Sequence, residues 1–454
     1  MTHSRRRTLW IYAAAGLALA AALAAKGVGV VTSAKRMDYG TWHLIAGRAL
    51  EGKSLANPPG QGTDGKPLPP EDDVGYYNLP PAFALYICPL GLLPYRAFAA
   101  AWYVLSVGSL VASVLLGMKI VHGRWLPDRP LALLLPLLGV LHFALIDLYA
   151  GSICLEILLL LVLGAYLSHR GRNWAGGLAV GMAAALKAYP LAILPALLLG
   201  RRWKLAGWTL LGTIAWSLIV PGAIRGYRRQ WNETTWWYGR IVRPYAQRAG
   251  EMKWRNKSFS YKNHSINALV NRLLRPVHVG TDPSDGELET ATMNAADLPV
   301  WAAHAAYVAI VAGLLAAMAG AYLRAGRGAT RAPVALDMAV GVVFVLLASP
   351  VVWDYYYTLL LLGMCIAAER ALAPGRARRW WLWPVGAATA AMIVVEICSL
   401  WARAMGILVA LAAMWFVVLL VLRAGARASS LAAPSGQPHR ADAVREISQN
   451  GRSC

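Results

Sequence analysis

The sequence predicts an all-α polytopic membrane protein. Hydrophobic residues make up 58% of the 454 residues and charged residues only 15%, whereas a soluble protein of this size needs far more polar surface. Apolar runs of about 20 residues, the length that crosses a bilayer as a helix, recur along the chain. These runs do not alternate apolar and polar residues, as the strands of a membrane barrel do. The three observations together favour a bundle of transmembrane helices.

About twelve runs are predicted to span the membrane, in a chain whose mean hydropathy is +0.47. The first run follows the basic start Arg5–Arg7 and is longer than the apolar core of a signal peptide, so we expect a retained helix. The predicted spans are Leu9–Val31, Ala97–Val121, Leu131–Tyr149, Ile153–Leu167, Trp174–Leu186, Tyr189–Leu199, Leu205–Ile224, Leu298–Leu323, Val334–Ala348, Tyr357–Ala371, Trp380–Leu400 and Met405–Leu422.

Every second connection between these spans is short and basic. The clusters are His122–Arg129, His169–Arg172, Arg201–Lys204, Arg324–Arg331, Arg370–Arg379 and Arg423–Arg427. The connections near Gly151, Lys187 and Asp354 carry no such cluster. Because Lys and Arg concentrate in cytoplasmic loops, the alternation places both termini in the cytoplasm. The formal net charge of +22 then reflects orientation and contact with anionic lipid, and a nucleic-acid partner is not expected.

Two predicted outer loops, 32–96 and 225–297, interrupt a membrane module that covers residues 1–423. Within the first loop, Leu79–Leu93 is apolar but too short and proline-broken for a standard span, so we expect a juxtamembrane or re-entrant segment there. The tail, 424–454, is rich in Ala, Ser and Arg and is expected to be disordered in the cytoplasm.

The second outer loop combines many cations with aromatic residues. Its first part carries Arg225, Arg228, Arg229, Arg240, Arg243, Arg248, Lys253, Arg255, Lys257 and Lys262, interleaved with Trp and Tyr. Long loops are exempt from the orientation rule, so these cations need another explanation. One interpretation is an interfacial belt on anionic headgroups. The other is a site for a phosphate-bearing lipid, with arginine on the phosphate.

Metal, disulfide and proton-relay chemistry receive little support from the sequence. The five cysteines form no CxxC pair. The outer loops show no compact Asp-x-Asp motif of the kind that holds a metal for a nucleotide-diphosphate donor, so neither a metal nor a cofactor is predicted. Deep ionisable residues are few, chiefly Glu156 and Glu396 with Asp147 near a helix end, and we expect them to pair with polar neighbours in the bundle.

Four polar features, far apart in sequence, fall on the outer face under this topology. They are Asp38 with His43, Arg48 and the run Tyr77–Pro81; Lys187 within Leu186–Pro190; Asn263–Ser265 followed by Arg272; and Ser349–Asp354, which includes Trp353. Asp38 follows the first apolar run by a few residues, next to Lys35 and Arg36. It is a carboxylate held close to the membrane surface, where a simple solvated charge is the alternative interpretation.

Together these motifs resemble the integral-membrane glycosyltransferases of family 87, which belong to the GT-C superfamily and use polyprenyl-phosphate sugars. The likeness runs from about Arg36 to Leu362. It implies a GT-C-like bundle and an inverting transfer on the outer face. It also implies an aspartate in the first outer loop as general base, a place that Asp38 occupies. The family is typified by an α-mannosyltransferase, so mannose is the expected sugar.

The chain departs from the family pattern at three places. Tyr355 and Tyr356 stand where two histidines often follow the Trp-Asp pair. His264 replaces a common glutamine, and Gly151-Ser152 replaces a Gly-Gln pair that often follows the third span. These changes leave the reaction type in place and bear on the identity of the sugar and the acceptor.

The residues also fit this chemistry independently of the resemblance. An inverting transfer needs one carboxylate to take the proton from an acceptor hydroxyl, the role expected of Asp38. A phosphate leaving group needs no protonation where cations such as Lys187 stabilise it. Asn263, His264, Arg272, Tyr77, Trp353 and Asp354 are candidate contacts to donor phosphate or substrate.

Each candidate also has a structural interpretation. Lys187 would snorkel to the interface. Asn263 and His264 would be loop hydrogen-bonders, with His264 as a second acid or base the sharper alternative. Trp353 would be an interfacial anchor, Asp354 a helix cap, and Tyr355 and Tyr356 packing residues.

We therefore expect a membrane glycosyltransferase in a bacterial plasma membrane. It would move a sugar from a polyprenyl-phosphate donor to a lipid or glycan acceptor on the outer face. Its partners would be that donor, that acceptor and membrane lipids. The alternatives are a non-catalytic lipid-glycan transporter or flippase, and a membrane scaffold with a headgroup-binding loop.

Overall fold

The described part of the chain is built of helices and connecting loops, with no strand among its residues. A computed structural model describes residues 3–32, 37–55, 79–243, 258–280, 290–325, 334–374 and 379–425. Its α-helices, in chain order, are α1 (His3–Thr32), α2 (Met37–Leu50), α3 (Ala82–Ile87), α4 (Tyr95–His122), α5 (Leu131–Ala150), α6 (Cys154–His169), α7 (Asn173–Leu186), α8 (Leu194–Leu199), α9 (Trp203–Ile214), α10 (Val220–Arg225), α11 (Tyr227–Trp237), α12 (Ile266–Leu274), α13 (Val300–Ala325), α14 (Val334–Ala348), α15 (Leu361–Leu372), α16 (Leu382–Cys398), α17 (Leu400–Ala404) and α18 (Ile407–Ala424).

Among the described residues, five short segments have tighter or wider helical geometry. Those with 3₁₀ geometry are Cys88–Leu92, Tyr189–Ile193 and Asp354–Leu360, and those with π geometry are Ala215–Ile219 and Tyr238–Val242. The first π segment joins α9 to α10, so that Trp203–Arg225 reads as one long apolar rod.

Six helical segments in the described residues are long and apolar enough to cross a membrane. They are Arg6–Thr32, Tyr95–His122, Leu131–Ala150, Trp203–Arg225, Val300–Ala325 and Ile407–Ala424. Shorter apolar helices lie among them, including Cys154–His169 and Asn173–Leu186. The predicted spans fall on helical segments of the structure, although Tyr189–Leu199 and Tyr357–Ala371 begin as 3₁₀ helix. The prediction of an all-α polytopic membrane protein is confirmed.

Helix α14 forms the centre of the bundle. Its residues from Val334 to Leu347 are all buried, as expected for a helix that is apolar around its whole circumference. The exception in polarity is Asp337, which accepts hydrogen bonds from Arg202 Nε at 2.8 Å and Arg423 Nε at 2.7 Å. Two of the predicted cytoplasmic basic clusters therefore meet at one end of the bundle, where their charges satisfy a buried carboxylate.

Close helix packing depends on glycine where α7 meets α9. A Cβ on Gly181 would lie 2.6 Å from the main-chain carbon of Gly212, and one on Gly177 would lie 2.3 Å from the Cβ of Trp208. Small residues at such contacts let two backbones approach, which is how apolar helices gain van der Waals contact in lipid. This packing fixes the position of α7, whose C-terminal end carries Lys187.

The predicted short apolar segment Leu79–Leu93, within the first outer loop, packs against α2 as two short helices. The segment comprises α3 and Cys88–Leu92, and it is bounded by Pro80-Pro81 and Pro94. The Trp42 ring meets the Phe83 ring edge-on, with centroids 4.8 Å apart. Gly91 lies so close to α2 that a Cβ there would be 2.8 Å from the Cβ of Ala46. The segment and α2 therefore form one packed unit at the opposite end of the bundle from Asp337.

Candidate functional site

Asp38 lies in the first turn of α2 with its carboxylate half-buried. No described residue donates a hydrogen bond to this carboxylate, although two residues along the same helix are tied down firmly. Tyr39 donates to the carbonyl of Leu148 at 2.6 Å, and Trp42 Nε1 donates to the carbonyl of Gly151 at 2.8 Å. The helix is thus held rigidly on the end of α5 while the Asp38 carboxylate keeps its lone pairs for another partner.

Gly151 is the contact that sets this arrangement. Its φ of +73° lies in the left-handed region, and a Cβ there would stand 2.3 Å from the ring of Tyr39. Any side chain at this position would therefore both strain the backbone and push Tyr39 away. With glycine at position 151, α5 ends and α2 packs closely against that end, which fixes the position of Asp38.

The electrostatic surroundings of Asp38 favour a carboxyl that titrates near neutrality. Burial raises its pKa from 3.8 to about 6, and the positive charge of Lys187 opposes this rise. A base whose pKa lies just below the working pH is ionised and still accepts a proton readily. Asp38 therefore has a carboxylate that is only half-buried, that accepts no hydrogen bond from a described residue, and whose pKa suits a general base.

Lys187 directly follows the last residue of α7. Its backbone is extended, with φ −157° and ψ 121°, and the chain then turns into the 3₁₀ segment Tyr189–Ile193. The side chain is half-buried among three tyrosine rings. Its Nζ lies 4.4 Å from the ring centroid of Tyr356, 5.7 Å from that of Tyr189 and 5.8 Å from that of Tyr355.

These three tyrosines form a wall, which we call the tyrosine wall, around the Lys187 ammonium. The rings of Tyr189 and Tyr356 lie 4.9 Å apart and those of Tyr355 and Tyr356 lie 5.3 Å apart. Ring faces attract a cation and hold it in place. Since the charge of Lys187 acts on Asp38 and the Asp38 charge acts on Tyr355 and Tyr356, all five side chains belong to one site.

The predicted residues of the second outer loop gather in a neighbouring cluster. Asn263 is fully buried, and its side chain makes several hydrogen bonds to loop backbone. Its Nδ2 donates to the carbonyl of Ser258 at 2.7 Å, while its Oδ1 accepts from the amides of Ser265 at 3.2 Å and Val352 at 3.0 Å. Asn263 thus joins this loop to the turn that carries Trp353 and leads to the tyrosine wall.

Arg272 is fully buried beneath the same loop and holds it by its carbonyls. Nη1 donates to the main-chain oxygens of Ser260 and Asn263 at 2.7 and 3.1 Å, and Nε donates to that of Ala404 at 2.9 Å. Burial lowers its pKa to about 9, so the guanidinium remains charged at neutral pH. These charge-assisted hydrogen bonds from Arg272 hold the backbone of the loop in place.

His264, Asp354 and Glu396 meet at the edge of this cluster. A ring nitrogen of His264 and one carboxylate oxygen from each acid lie within 4.8 Å of one another, an arrangement able to hold a metal ion. Burial, together with Arg272 and Arg403, lowers the pKa of His264 to about 3. The ring is therefore neutral at pH 7 and has no extra proton to donate as an acid. Burial and the charge of Glu396 raise the pKa of Asp354.

Two arginines of the second outer loop bind protein groups. Arg225 Nη1 donates to Glu233 at 2.5 Å, and Arg229 Nε donates to the same carboxylate at 3.2 Å. Glu233 also accepts from the amide of Leu55 at 3.0 Å, while Arg229 Nη2 donates to the carbonyl of Gly52 at 2.6 Å. Helix α11 is thereby tied to the end of the α2 segment. Arg228, on the same helix, is exposed.

The structure thus brings together Asp38 and Lys187, and separately Asn263, His264, Arg272 and Asp354. Tyr77 lies outside the described residues. Sequence reasoning treated Tyr355 and Tyr356 as packing and did not single out Tyr189. The position of Tyr355 and Tyr356 could have identified them, because they stand where the family that the chain resembles often has histidines. Glu396 was noted only as a buried acid, because its partners come from distant segments.

The family model for glycosyltransferase family 87 matches residues 77–350, which is more than half of the chain. The match begins beyond Asp38 and takes in Lys187 and the whole loop cluster from Asn263 to Arg272. Among curated proteins and solved structures, the comparisons give no match.

Proposed function

The chain belongs to glycosyltransferase family 87 and is a membrane glycosyltransferase, and on this premise we propose the donor, the base and the course of its reaction. The donor is a polyprenyl-phosphate sugar, with mannose the sugar to test first. The acceptor is a hydroxyl of a lipid or glycan. The transfer inverts the anomeric centre, with Asp38 as the general base.

One observation carries this proposal: a half-buried carboxylate without a described hydrogen-bond donor lies in the field of a tyrosine-walled lysine. Asp38 takes the proton of the acceptor hydroxyl as its oxygen forms a bond to the anomeric carbon. The bond from that carbon to the phosphate oxygen breaks on the opposite face. The electron pair leaves with the polyprenyl phosphate, so a single carboxylate suffices.

Lys187 supplies the electrostatic part of the reaction. The leaving phosphate gains negative charge as the glycosidic bond breaks, and a fixed ammonium stabilises that charge without needing to transfer a proton. The tyrosine wall limits the movement of the ammonium. It also supplies aromatic faces against which the apolar face of a sugar ring packs.

The remaining predicted residues position this site. Asn263 and Arg272 hold the loop and the turn before the tyrosine wall, so a substrate contact at Asn263 would have to compete with its present bonds. Trp353, half-buried at the same turn, is a candidate wall for the sugar. Tyr77 remains a candidate contact on the strength of the family pattern.

A groove beside α11 offers a place for the lipid part of a substrate. It has a volume of about 350 Å³ and is lined by Leu218, Tyr227, Arg228, Gln230 and Trp231. Apolar and aromatic walls suit an isoprenoid chain, and an exposed arginine at the rim suits its phosphate. We propose that the site faces the outer side of a bacterial plasma membrane, with both termini in the cytoplasm, as the basic connections indicate.

Transfer by the purified protein in lipid tests this function. The full chain is incubated with polyprenyl-phosphate-[¹⁴C]mannose and a membrane lipid extract as acceptor, and labelled products are separated by chromatography. We expect label in a new product with inverted anomeric configuration. Transport of the donor across the bilayer without any transfer would favour a transporter instead. Transfer from a nucleotide sugar, and not from the lipid donor, would refute the proposed donor class.

A further inference from the structure

The cluster of His264, Asp354 and Glu396 has the composition of a cation site. The three residues come from a loop, the start of the 3₁₀ segment Asp354–Leu360 and the end of α16, and each offers one ligand atom within 4.8 Å of the other two. Carboxylate oxygens and an imidazole nitrogen bind a transition ion at about 2.0–2.2 Å. Ligand atoms around such an ion are then about 3–4 Å apart by geometry, which the cluster accommodates.

Two buried polar atoms of this cluster lack a hydrogen bond. Nδ1 of His264 and Oε1 of Glu396 have no hydrogen-bond partner among the described residues, although the side chains are 1% and 0% exposed. Burying an imidazole nitrogen and a carboxylate oxygen without a partner is costly. Oε1 of Glu396 has an ion-pair partner in Arg403, whose Nε lies 3.0 Å away, so Nδ1 of His264 is the atom that points to a partner other than a protein side chain.

Arg403 forms an ion pair with Glu396 and leaves Nδ1 of His264 without a hydrogen bond among the described residues. The Nε of Arg403 is 3.0 Å from Oε1 of Glu396, and its N–H donates to the main-chain carbonyl of Glu396 at 2.9 Å. His142 Nε2 lies 3.0 Å from the other oxygen, Oε2. The Glu396 carboxylate is thus oriented from two sides, as second-shell groups orient a metal ligand.

We propose that His264, Asp354 and Glu396 together bind one divalent transition-metal ion, of the class of Mn²⁺ or Zn²⁺. One nitrogen and two oxygen ligands suit these ions, whereas Mg²⁺ and Ca²⁺ prefer oxygen alone. The ion would fasten the second outer loop, the turn at Trp353 and the end of α16 to one another. The site adjoins the tyrosine wall, because Asp354 directly precedes Tyr355 and Tyr356. Binding does not depend on the identity of the sugar donor.

Metal binding to the full chain in detergent tests this assignment without any substrate. The protein is stripped with a chelator, dialysed against Mn²⁺ or Zn²⁺ alone, and its metal content is measured by mass spectrometry. We expect one ion per chain for at least one of the two metals. Asp354→Asn and Glu396→Gln should each weaken binding by at least about tenfold. Glu156→Gln, which removes another buried carboxyl outside the cluster, should bind as the wild type does.

A spectroscopic measurement on the wild-type chain covers the case in which the variants do not fold. Pulsed electron paramagnetic resonance of bound Mn²⁺ should show coupling to one imidazole nitrogen, with oxygen as the other protein ligand type. Failure of both metals to bind stoichiometrically would overturn the proposal. So would binding that survives unchanged in folded Asp354→Asn and Glu396→Gln, or bound Mn²⁺ without nitrogen coupling.

Discussion

Acidification from pH 7 to pH 5 should slow sugar transfer about tenfold if Asp38 is the base. With a pKa of about 6, the carboxyl is about nine-tenths ionised at pH 7 and about one-tenth ionised at pH 5. An aspartate at its ordinary value of 3.8 would be more than nine-tenths ionised at both pH values. Only the ionised form accepts the proton, so the rate should follow this titration.

The assay is the initial rate of transfer at low donor concentration, measured from pH 4.5 to 8 in proteoliposomes. Under these conditions kcat/KM reports the free enzyme, and its acid limb gives the pKa of the base. Samples returned to pH 7 after each exposure must recover full activity, which excludes acid unfolding. The matched control is Glu51→Gln, an exposed acid just beyond the end of α2, which should leave the curve unchanged. A midpoint near pH 4 would refute the reasoning.

Four further changes test other parts of the structure. Lys187→Met should move the acid midpoint above pH 6, because the lysine charge lowers the pKa of Asp38. Asp38→Asn should raise stability at pH 7.5 by up to about 3 kcal/mol, since a pKa raised by folding costs stability above pH 6 and nothing below about pH 4. Gly151→Ala should lower the melting temperature, because its Cβ would lie 2.3 Å from Tyr39. Glu233→Gln should destabilise the fold by about 3–5 kcal/mol by leaving two arginines unpaired.

Matched controls sharpen these tests. Lys187→Arg keeps the charge and should keep the midpoint near that of the wild type, whereas an unmoved midpoint in the methionine variant would contradict the coupling. Gly108→Ala has open space around its Cβ and should match or exceed wild-type stability. Chemical denaturation measures the free energies of unfolding of the Asp38→Asn and Glu233→Gln variants. The expected signs would be contradicted by a less stable asparagine variant at pH 7.5, or by a Glu233→Gln variant that unfolds like the wild type.

The helical framework could be predicted from the sequence because lipid imposes simple rules. Apolar length predicts the spans, and the basic connections predicted which helix ends lie together. Arg202 and Arg423 share Asp337 at one end, while Asp38 and Lys187 meet at the other. The proline-broken segment before Pro94 also folded as short turns against α2, as its length and composition indicated.

The local geometry of the site was not predictable from the sequence in the same way. The contact of the Lys187 ammonium with the tyrosine rings depends on the end of α7 and on a turn more than 160 residues later in the chain. No periodicity in the sequence connects these two places. The loop arginines were expected on phosphate, but nothing in their spacing shows that Glu233 would pair with Arg225 and Arg229. The hydrogen bonds of Asn263 likewise depend on a turn from a distant segment.

The rate of a single turnover by Asp38→Asn tests the central claim most directly. Donor-loaded protein is mixed with acceptor, and the formation of labelled product is followed for the variant and the wild type. The loss of a general base predicts transfer about 10²–10⁴-fold slower, with donor binding retained. Transfer by the folded variant at a rate within twofold of the wild type would contradict the assignment of Asp38 as the base.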